Sequence, residues 1–283
     1  MLETRERVQT RDVRDAVKQA ESRGVIDCYE PATRAPLGSV EVDAPEAIPA
    51  IIARARSAQR SWQNTPFHER RRVLGLLLDH VLAHADELCE IVVRDSGKTR
   101  HNAMLGEIWP IVEKLRWTLA NGEKHLRDEQ VSSGLFIHKR ARIEFQPLGV
   151  IGVIAPWNYP LQNILGPTIP ALMAGNAVVV KVSEWVAWSS ARFQHIFDQV
   201  FAQAGYPKDL VQIVNGYAAT GAALVSGGVD KAFALSHRDD RFRLNDAPSA
   251  AMHDSHQGDA MGQFQPVEIQ QRVLVLGVDN EHR

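Results

Sequence analysis

Three short apolar runs separated by two helical stretches constrain the fold of this chain more than any other feature. The runs cover residues 150–155, 177–182 and 210–214, and each is too short for a helix. Strands that are buried on both faces have this character. The stretch between the first two runs is apolar and ends at Gly175-Asn176, and the next stretch is amphipathic and ends at Gly205. This β-α-β-α-β order predicts an α/β fold with a Rossmann-like parallel sheet and helices on both faces.

Polar or turn-forming residues follow each of the three runs. They are Pro156-Trp157-Asn158-Tyr159-Pro160, then Lys181-Val182-Ser183-Glu184, then Asn215-Gly216 with Thr220-Gly221 beyond it. Parallel α/β sheets bind their ligands in the crevice outside the carboxyl ends of the strands. We therefore expect the functional residues at these three positions.

The residues before this core predict a hairpin and then a series of helices. A Pro/Gly turn divides residues 25–42 into two short apolar runs, which is typical of a hairpin. Asp43 precedes a helical pattern, and Glu46 stands three residues later, as in a capping box. We expect this helix to run toward Trp62.

A stronger helical pattern covers the next segment of the chain. Apolar residues recur every three or four positions from Leu74 to Val92, and Gly97 is placed to end the helix. Cys89 falls within the apolar stripe, so we expect a buried core thiol. A further helix is expected over residues 102–122.

Alternation of apolar and charged side chains over residues 136–145 predicts a strand with charge on both faces, which suits a projecting β-ribbon (135–146) better than a core strand. These patterns divide the chain into a polar N-terminal arm (1–24), a nucleotide-binding domain (25–234) and a weakly structured tail (235–283).

Composition excludes several classes of protein. The net charge is −2, with 32 basic and 34 acidic residues, so no charge excess favours nucleic acid. The most apolar segment is interrupted by prolines and asparagines, and we expect no membrane span. With two distant cysteines, Cys28 and Cys89, the chain suits a reducing cytoplasm. We expect no metal site, because His253 and His256 in the tail lack further ligands.

The motifs around the first two strands resemble those of the aldehyde dehydrogenase superfamily. The resemblance extends from about Tyr29 to Phe233, with Glu69-Arg70 and Ser96-Gly97-Lys98 agreeing upstream. It implies NAD(P)-dependent oxidation of an aldehyde to a carboxylic acid in a homo-oligomer, with NAD or NADP as cofactor and an aldehyde as substrate. The motifs that carry it are Val153-Ile154-Ala155-Pro156-Trp157-Asn158-Tyr159-Pro160, then Pro170-Ala171-Leu172 with Ala174-Gly175-Asn176, and then Val179, Lys181, Ser183 and Glu184.

The resemblance implies that Asn158 donates its side-chain amide to the oxygen of the thiohemiacetal intermediate. Loss of such an oxyanion-hole donor raises the activation barrier by about 3–4 kcal/mol. From the residues alone, Asn158 could equally satisfy its own turn between two prolines.

The resemblance also implies a cofactor site. Lys181 would reach the adenosine ribose, with Ser183 and Glu184 beside it, and a carboxylate there favours NAD because it repels a 2′-phosphate. The plainer alternatives are a solvated strand-end lysine and a Ser183 helix N-cap with Glu184 in the first turn. The remaining cofactor-binding residues implied are Ile154, Pro156, Trp157, Gly216 and Gly221.

The chain departs from the family pattern at several points. Val182 stands where the family usually has proline, and the segment from Gly216 to Gly221 lacks a middle glycine. After Phe233 the family continues Thr-Gly-Ser, whereas this chain has Ala234-Leu235-Ser236, as a frameshift or a gene remnant would give. Neither the family's later cysteine nucleophile nor its Glu-Leu-Gly-Gly base motif is present, and Glu268 and Glu281 stand in unrelated contexts.

Three functions remain open at this stage. The chain could be a truncated family member that is inactive alone and unstable or partner-dependent, because the family packs its later chain against this domain. It could be an oxidoreductase whose catalytic half comes from another chain. It could also be a non-enzymatic binding or assembly module on a remnant of the fold.

Overall fold

A computed structural model describes residues 19–135, 139–235, 252–254 and 270–278. The first strands form the expected hairpin, in which β1 (Val25–Tyr29) pairs antiparallel with β2 (Pro36–Glu41). Cys28 and Ile26 point from β1 into the core, where each is less than 7% exposed.

Helices occupy most of the chain between the hairpin and the first parallel strand. A 3₁₀ turn at Pro45–Ala47 leads into the first of them, and Met104–Ile108 is a π-helical turn that continues directly into α5. The α-helices of this region are α1 (Ile48–Trp62), α2 (Phe67–Ala83), α3 (Ala85–Ser96), α4 (Arg100–Ala103) and α5 (Trp109–His125).

Two details of these helices differ from the sequence prediction. Asp43 does not cap α1, which begins at Ile48 after Ala47 and has no side-chain cap; the carboxylate instead accepts the backbone N–H of Asn215 at 2.8 Å. Pro49 lies in the first turn of α1, where no intrahelical partner for its nitrogen is needed. The single long helix expected over the leucine-rich stripe is two helices that meet at His84.

Other expectations for this region are confirmed. Gly97 ends α3 in the left-handed conformation with φ 72°, which glycine adopts without steric cost. Cys89 is fully buried, as its place in the apolar stripe indicated.

The core is a five-stranded parallel sheet in the order β7-β6-β5-β8-β9. The β-α-β-α-β prediction is confirmed, with helices α6 (Gln162–Met173), α7 (Ser190–Ala204) and α8 (Ala218–Ser226) following successive strands. Gly205 ends α7 with φ 78°. The strands are β5 (Val150–Ile154), β6 (Ala177–Lys181), β7 (Val211–Val214), β8 (Lys231–Ala234) and β9 (Met252–Asp254).

Burial explains why the first two strands read as continuous apolar runs. Every residue of β6 is buried, as are the first four residues of β5. Strand order reverses at β5, because β6 and β7 lie on one side of it and β8 on the other. This switch point is where such sheets open a ligand crevice.

The expected ribbon is a separate three-stranded antiparallel sheet. β4 (Lys139–Pro147) lies between β3 (Glu129–Val131) and β10 (Gln270–Val278). β10, which lies in the tail, pairs with β4 over its whole length, from Gln270 opposite Pro147 to Val278 opposite Lys139.

Two strands therefore lie in the tail that we expected to be weakly structured: β9, beside β8, and β10. The remaining tail residues, the polar arm before residue 19 and the ribbon residues 136–138 lie outside the described part of the chain. The same holds for Glu268, Glu281 and His256, and only the backbone of His253 is described.

The described residues include neither a membrane-crossing helix nor a cluster of metal ligands. None of the helices there is both long and apolar enough to cross a membrane. No group of three or more His, Cys, Asp or Glu side chains in that part of the chain could hold a metal ion.

Candidate functional site: the carboxyl edge of the parallel sheet

The sheet register places two of the expected positions side by side. Ile154, the last residue of β5, is the partner of Lys181, the last residue of β6. Ala155 continues the pairing, since its N–H donates to the Lys181 carbonyl at 2.9 Å. The turn that carries Asn158 thus leaves the sheet next to the segment that carries Glu184.

Trp157 and Asn158 lie on the turn that follows β5. The Trp157 side chain is 56% exposed, and Asn158 is half-buried. The Asn158 amide oxygen accepts a hydrogen bond from Asn163 Nδ2 at 3.2 Å. Asn163 stands in the first turn of α6 and also donates to the Pro156 carbonyl at 3.2 Å. The side chain of Asn158 is thereby tied to the following helix.

A buried carboxylate holds the other end of this turn. Glu107 projects from the π-helical turn and accepts the backbone N–H groups of Leu161 and Gln162, at 2.8 and 3.2 Å. These are orphan donors at the start of α6, where negative charge is also favoured by the helix dipole. Burial raises the pKa of Glu107, while the nearby Lys98 ammonium and these N–H bonds lower it.

Lys98 connects that carboxylate to the Asn158 turn. Its Nζ lies 2.6 Å from Glu107 Oε1 and 3.8 Å from the ring centroid of Tyr159. Gly106 packs so closely on the same ring that an added Cβ would lie 3.0 Å from Tyr159 Cε1. Tyr159 is therefore held from two sides next to Asn158.

Sequence reasoning did not assign these roles to Glu107 and Asn163. One signal for Glu107 was available, because it stands four residues from Ala103 and from Ile111, both buried. A carboxylate in an apolar stripe needs partners. Nothing in the sequence showed that Asn163 would face Asn158.

Lys181 and Glu184 form the second part of the site. Lys181 is 6% exposed, and its Nζ lies 3.5 Å from Glu184 Oε2. Burial lowers the pKa of Lys181, and Glu184 partly offsets the effect. The side chain of Glu184 is 31% exposed, so it is accessible to a ligand. The solvated strand-end lysine is therefore excluded.

Ser183 has the capping geometry that was its alternative role. Its hydroxyl accepts the backbone N–H of Trp185 at 3.4 Å, at the start of the 3₁₀ turn Glu184–Val186. Glu184 is the first residue of that turn. Capping uses only part of the hydroxyl's hydrogen-bonding capacity, so a ligand contact at Ser183 stays a prediction.

Gly216 lies just beyond the end of β7, and the Thr220 side chain packs against it. A Cβ added at Gly216 would lie only 2.1 Å from Thr220 Oγ1, which is too close for an unstrained contact. That hydroxyl donates to the Asp43 carbonyl at 3.0 Å. Gly221 is buried in the first turn of α8. Gly216 is thus packed against Thr220, and the cofactor role of both glycines remains a prediction.

The two cysteines of the chain are both buried in the hydrophobic core. Cys28 is in β1 and 6% exposed, and Cys89 is in α3 and fully buried. Burial raises the pKa of Cys28 to about 12 and raises that of Cys89 as well. Both thiols are held in the protonated, unreactive form at neutral pH.

Most of this chain is similar in sequence to aldehyde dehydrogenases. The model of the aldehyde dehydrogenase family matches residues 17–232. Among curated proteins, a putative aldehyde dehydrogenase-like protein of Schizosaccharomyces pombe is 40% identical over 190 residues, which cover 67% of this chain and 36% of that protein. The 4,4′-diapolycopene aldehyde oxidase of a Methylomonas species is 38% identical over 199 residues, covering 70% of this chain and 37% of that protein.

Solved structures show the same partial coverage. The NAD⁺ complex of an aldehyde dehydrogenase from Bacillus cereus superposes with a TM-score of 0.66 at 28% identity, over 74% of this chain and 42% of that one. The chain thus spans little more than a third of the length of those curated relatives. On the family match over residues 17–232, the chain belongs to the aldehyde dehydrogenase family.

Proposed function

We propose that this chain binds a nicotinamide dinucleotide at the carboxyl edge of its parallel sheet and directs the Asn158 amide toward the oxygen of an aldehyde. The observation that carries the proposal is the register of β5 and β6. It places the buried Lys181, with Glu184 at 3.5 Å, beside the turn that carries Asn158. A polar pair and an amide at adjacent strand ends suit a dinucleotide with a carbonyl substrate at its reactive end.

The residues at this edge fit a dinucleotide. Glu184 has exposed carboxylate surface that can accept ribose hydroxyls, and Lys181 supplies a donor beside it. Trp157 offers a largely exposed flat ring, and Ile154 and Pro156, which are half-buried, precede it at the end of β5. Ser183 would contact the same ribose, and Gly216 and Gly221 the third side of the cofactor. The carboxylate favours NAD over NADP.

In the reaction of the family the dinucleotide supplies the hydride acceptor. The contribution of this chain is at the carbonyl oxygen, where an amide N–H of Asn158 would stabilise developing negative charge. A thiolate must attack the same carbonyl. Cys28 and Cys89 are buried and protonated, so we propose that the chain alone binds cofactor but does not oxidise aldehydes.

Fluorescence titration tests the cofactor site. NAD should quench the emission of the wild type, and the quenching should largely disappear in Trp157→Phe. Trp117→Phe is the matched control, because Trp117 is also exposed, at 43%, but lies on α5. Absence of both quenching and a thermal shift at millimolar NAD would refute the proposed site.

An activity assay tests the second half of the proposal. The chain should form no NADH with short, long or aromatic aldehydes. Thiol-dependent NADH formation, abolished by Cys28→Ser or Cys89→Ser, would show that one of the buried cysteines serves as nucleophile.

A second candidate is an assembly role, and exposed apolar side chains favour it. Leu105 in the π-helical turn and Trp109 at the start of α5 are four residues apart, and they are 47% and 59% exposed. Exposed aromatic residues are typical of surfaces that another polypeptide covers. Sedimentation of the wild type and of Trp109→Glu tests this role: self-association that the substitution abolishes would support it.

A further inference from the structure

One side chain of α6 joins both ends of the Asn158 turn. Asn163 Nδ2 donates to the Pro156 carbonyl and to the Asn158 amide oxygen, each at 3.2 Å. The backbone N–H of Asn163 donates to the Tyr159 carbonyl at 2.8 Å. Because Asn163 belongs to a regular helix, these three bonds tie the turn to a rigid element.

The Pro156 contact settles which way both amides point. A backbone carbonyl can only accept, so the Asn163 atom beside it must be the NH₂ group. An amide NH₂ has two protons, and the second is directed at Asn158. The Asn158 atom that meets it must therefore be the carbonyl oxygen, because two NH₂ groups would face each other if the amide were turned over.

We infer that Asn163 is a positioning residue, which orients the Asn158 amide with its oxygen toward α6 and its NH₂ group away from the helix. The inference rests on the proposed function, in which that NH₂ group meets the oxygen of an aldehyde or its oxyanion. Were the amide turned over, it would present an acceptor to negative charge, and the site would repel what it is built to stabilise.

The surroundings of the turn support a fixed orientation. Tyr159 is held between Lys98 Nζ, 3.8 Å from its ring centroid, and Gly106. On its other side the turn ends at Leu161, whose N–H donates to the Glu107 carboxylate. A group placed by a helix and supported from both sides is held more closely than one on a free loop.

Exchange of side-chain amide protons with water, measured by NMR on the full chain without dinucleotide, tests the orientation. Asn158→Asp and Asn163→Asp assign the two side-chain signals by their disappearance. In the wild type, both Asn163 protons should exchange about tenfold more slowly than those of Asn158, because within the described part of the chain only the Asn163 protons are in intramolecular hydrogen bonds. The reverse order, with Asn158 protected and Asn163 not, would overturn the inference.

Asn163→Asp is the sharper variant, because it keeps the shape of the side chain and replaces the donor by acceptors. The Asn158 amide should then turn over and donate to the new carboxylate, so its protons become about tenfold more protected. Asn158 protons that keep their wild-type exchange rate in this variant would contradict the inference. Asn121→Asp on α5 is the matched control, and it should leave the Asn158 signals unchanged.

A third variant and the cofactor titration complete the test. Should Asn163→Asp fail to fold, Asn163→Leu removes the donors without adding charge, and the Asn158 amide should become more mobile, with a lower heteronuclear NOE. A rigid Asn158 amide in Asn163→Leu would count against the inference. NAD is added only after these measurements, so a protected Asn163 without any NAD binding would refute the proposed function and leave the orientation established.

Discussion

Lys98 and Glu107 form a buried ion pair, with 2.6 Å between Nζ and Oε1 and no exposure of the Glu107 side chain. The second carboxylate oxygen binds the N–H groups at the start of α6. The pair therefore joins the π-helical turn to the segment that carries Asn158. Removing one partner of such a pair leaves a buried charge without compensation.

We expect Glu107→Gln to lower the free energy of unfolding by about 3 kcal/mol or more, because Lys98 loses its carboxylate while 84% of its side chain stays buried. Chemical denaturation measures the loss. Glu113→Gln is the control, since Glu113 pairs with Arg116 on the surface, with 55% and 58% exposure, and should change stability by about 0.5 kcal/mol or less. Equal losses in the two variants would show that the buried pair contributes no more to the free energy of unfolding than the surface pair does.

The contact between Gly216 and Thr220 gives a second prediction. A Cβ at Gly216 would lie 2.1 Å from Thr220 Oγ1, so Gly216→Ala must push Thr220 away from Asp43. The expected loss is about 1–3 kcal/mol of unfolding free energy. A reduced NAD affinity in the same variant would support the cofactor role of this strand end.

Gly75→Ala is the matched control for that substitution. Gly75 lies inside α2 with no atom within 4 Å of an added Cβ. Alanine is favoured over glycine in a helix interior, so this variant should be more stable by about 0.5–1 kcal/mol. A Gly216→Ala protein as stable as the Gly75→Ala protein would show that Thr220 relocates without cost.

Local patterns sufficed to predict the parallel sheet and the two helix ends formed by glycine. The valine-rich runs that became β5 and β6 lie within the five-stranded sheet, and periodic apolar residues gave α7. Glycines at positions 97 and 205 adopt the left-handed conformation that ends a helix. These features depend on residues close in sequence, which is why periodicity and glycine placement indicate them.

Features that depend on distant partners were not predictable in the same way. Asp43 has the residue type and spacing of a helix cap, but its carboxylate binds Asn215, 172 residues later. β10 likewise owes its place in the fold to β4, a strand far away in the sequence. In the candidate site, the strand-end positions of Asn158, Lys181 and Glu184 followed from the pattern, whereas the contact of Asn163 with Asn158 required knowledge of how α6 meets the turn.

Glu184 should set the preference between the two dinucleotides. Its carboxylate would lie near the adenosine ribose and repel a 2′-phosphate. Two charges 4 Å apart in water interact by about 1 kcal/mol, so Glu184→Gln should tighten NADP binding by about fivefold. Fluorescence titration of both dinucleotides measures the change. If Glu184→Gln weakens the binding of NAD and of NADP by the same factor, Glu184 acts only through Lys181.

Asp95 should make stability depend on pH. Its side chain is almost fully buried, and its carboxylate accepts the backbone N–H of Ser189 at 3.0 Å. Desolvation raises the pKa of Asp95 from 3.8 to about 6 in the folded protein. A raised pKa means that the folded state binds the proton more tightly than the unfolded state does.

The stabilising contribution of protonated Asp95 is therefore fully present below about pH 4 and is lost as the pH rises through about 6. A shift of about two pKa units corresponds to roughly 3 kcal/mol at most. Asp95→Asn stays neutral and can still accept from Ser189 through its amide oxygen, so it should be more stable than the wild type above pH 6 and nearly equal to it at pH 4. Urea denaturation of both proteins between pH 4 and 8 measures this difference. A difference that stays constant across that range would show that Asp95 keeps one protonation state throughout it.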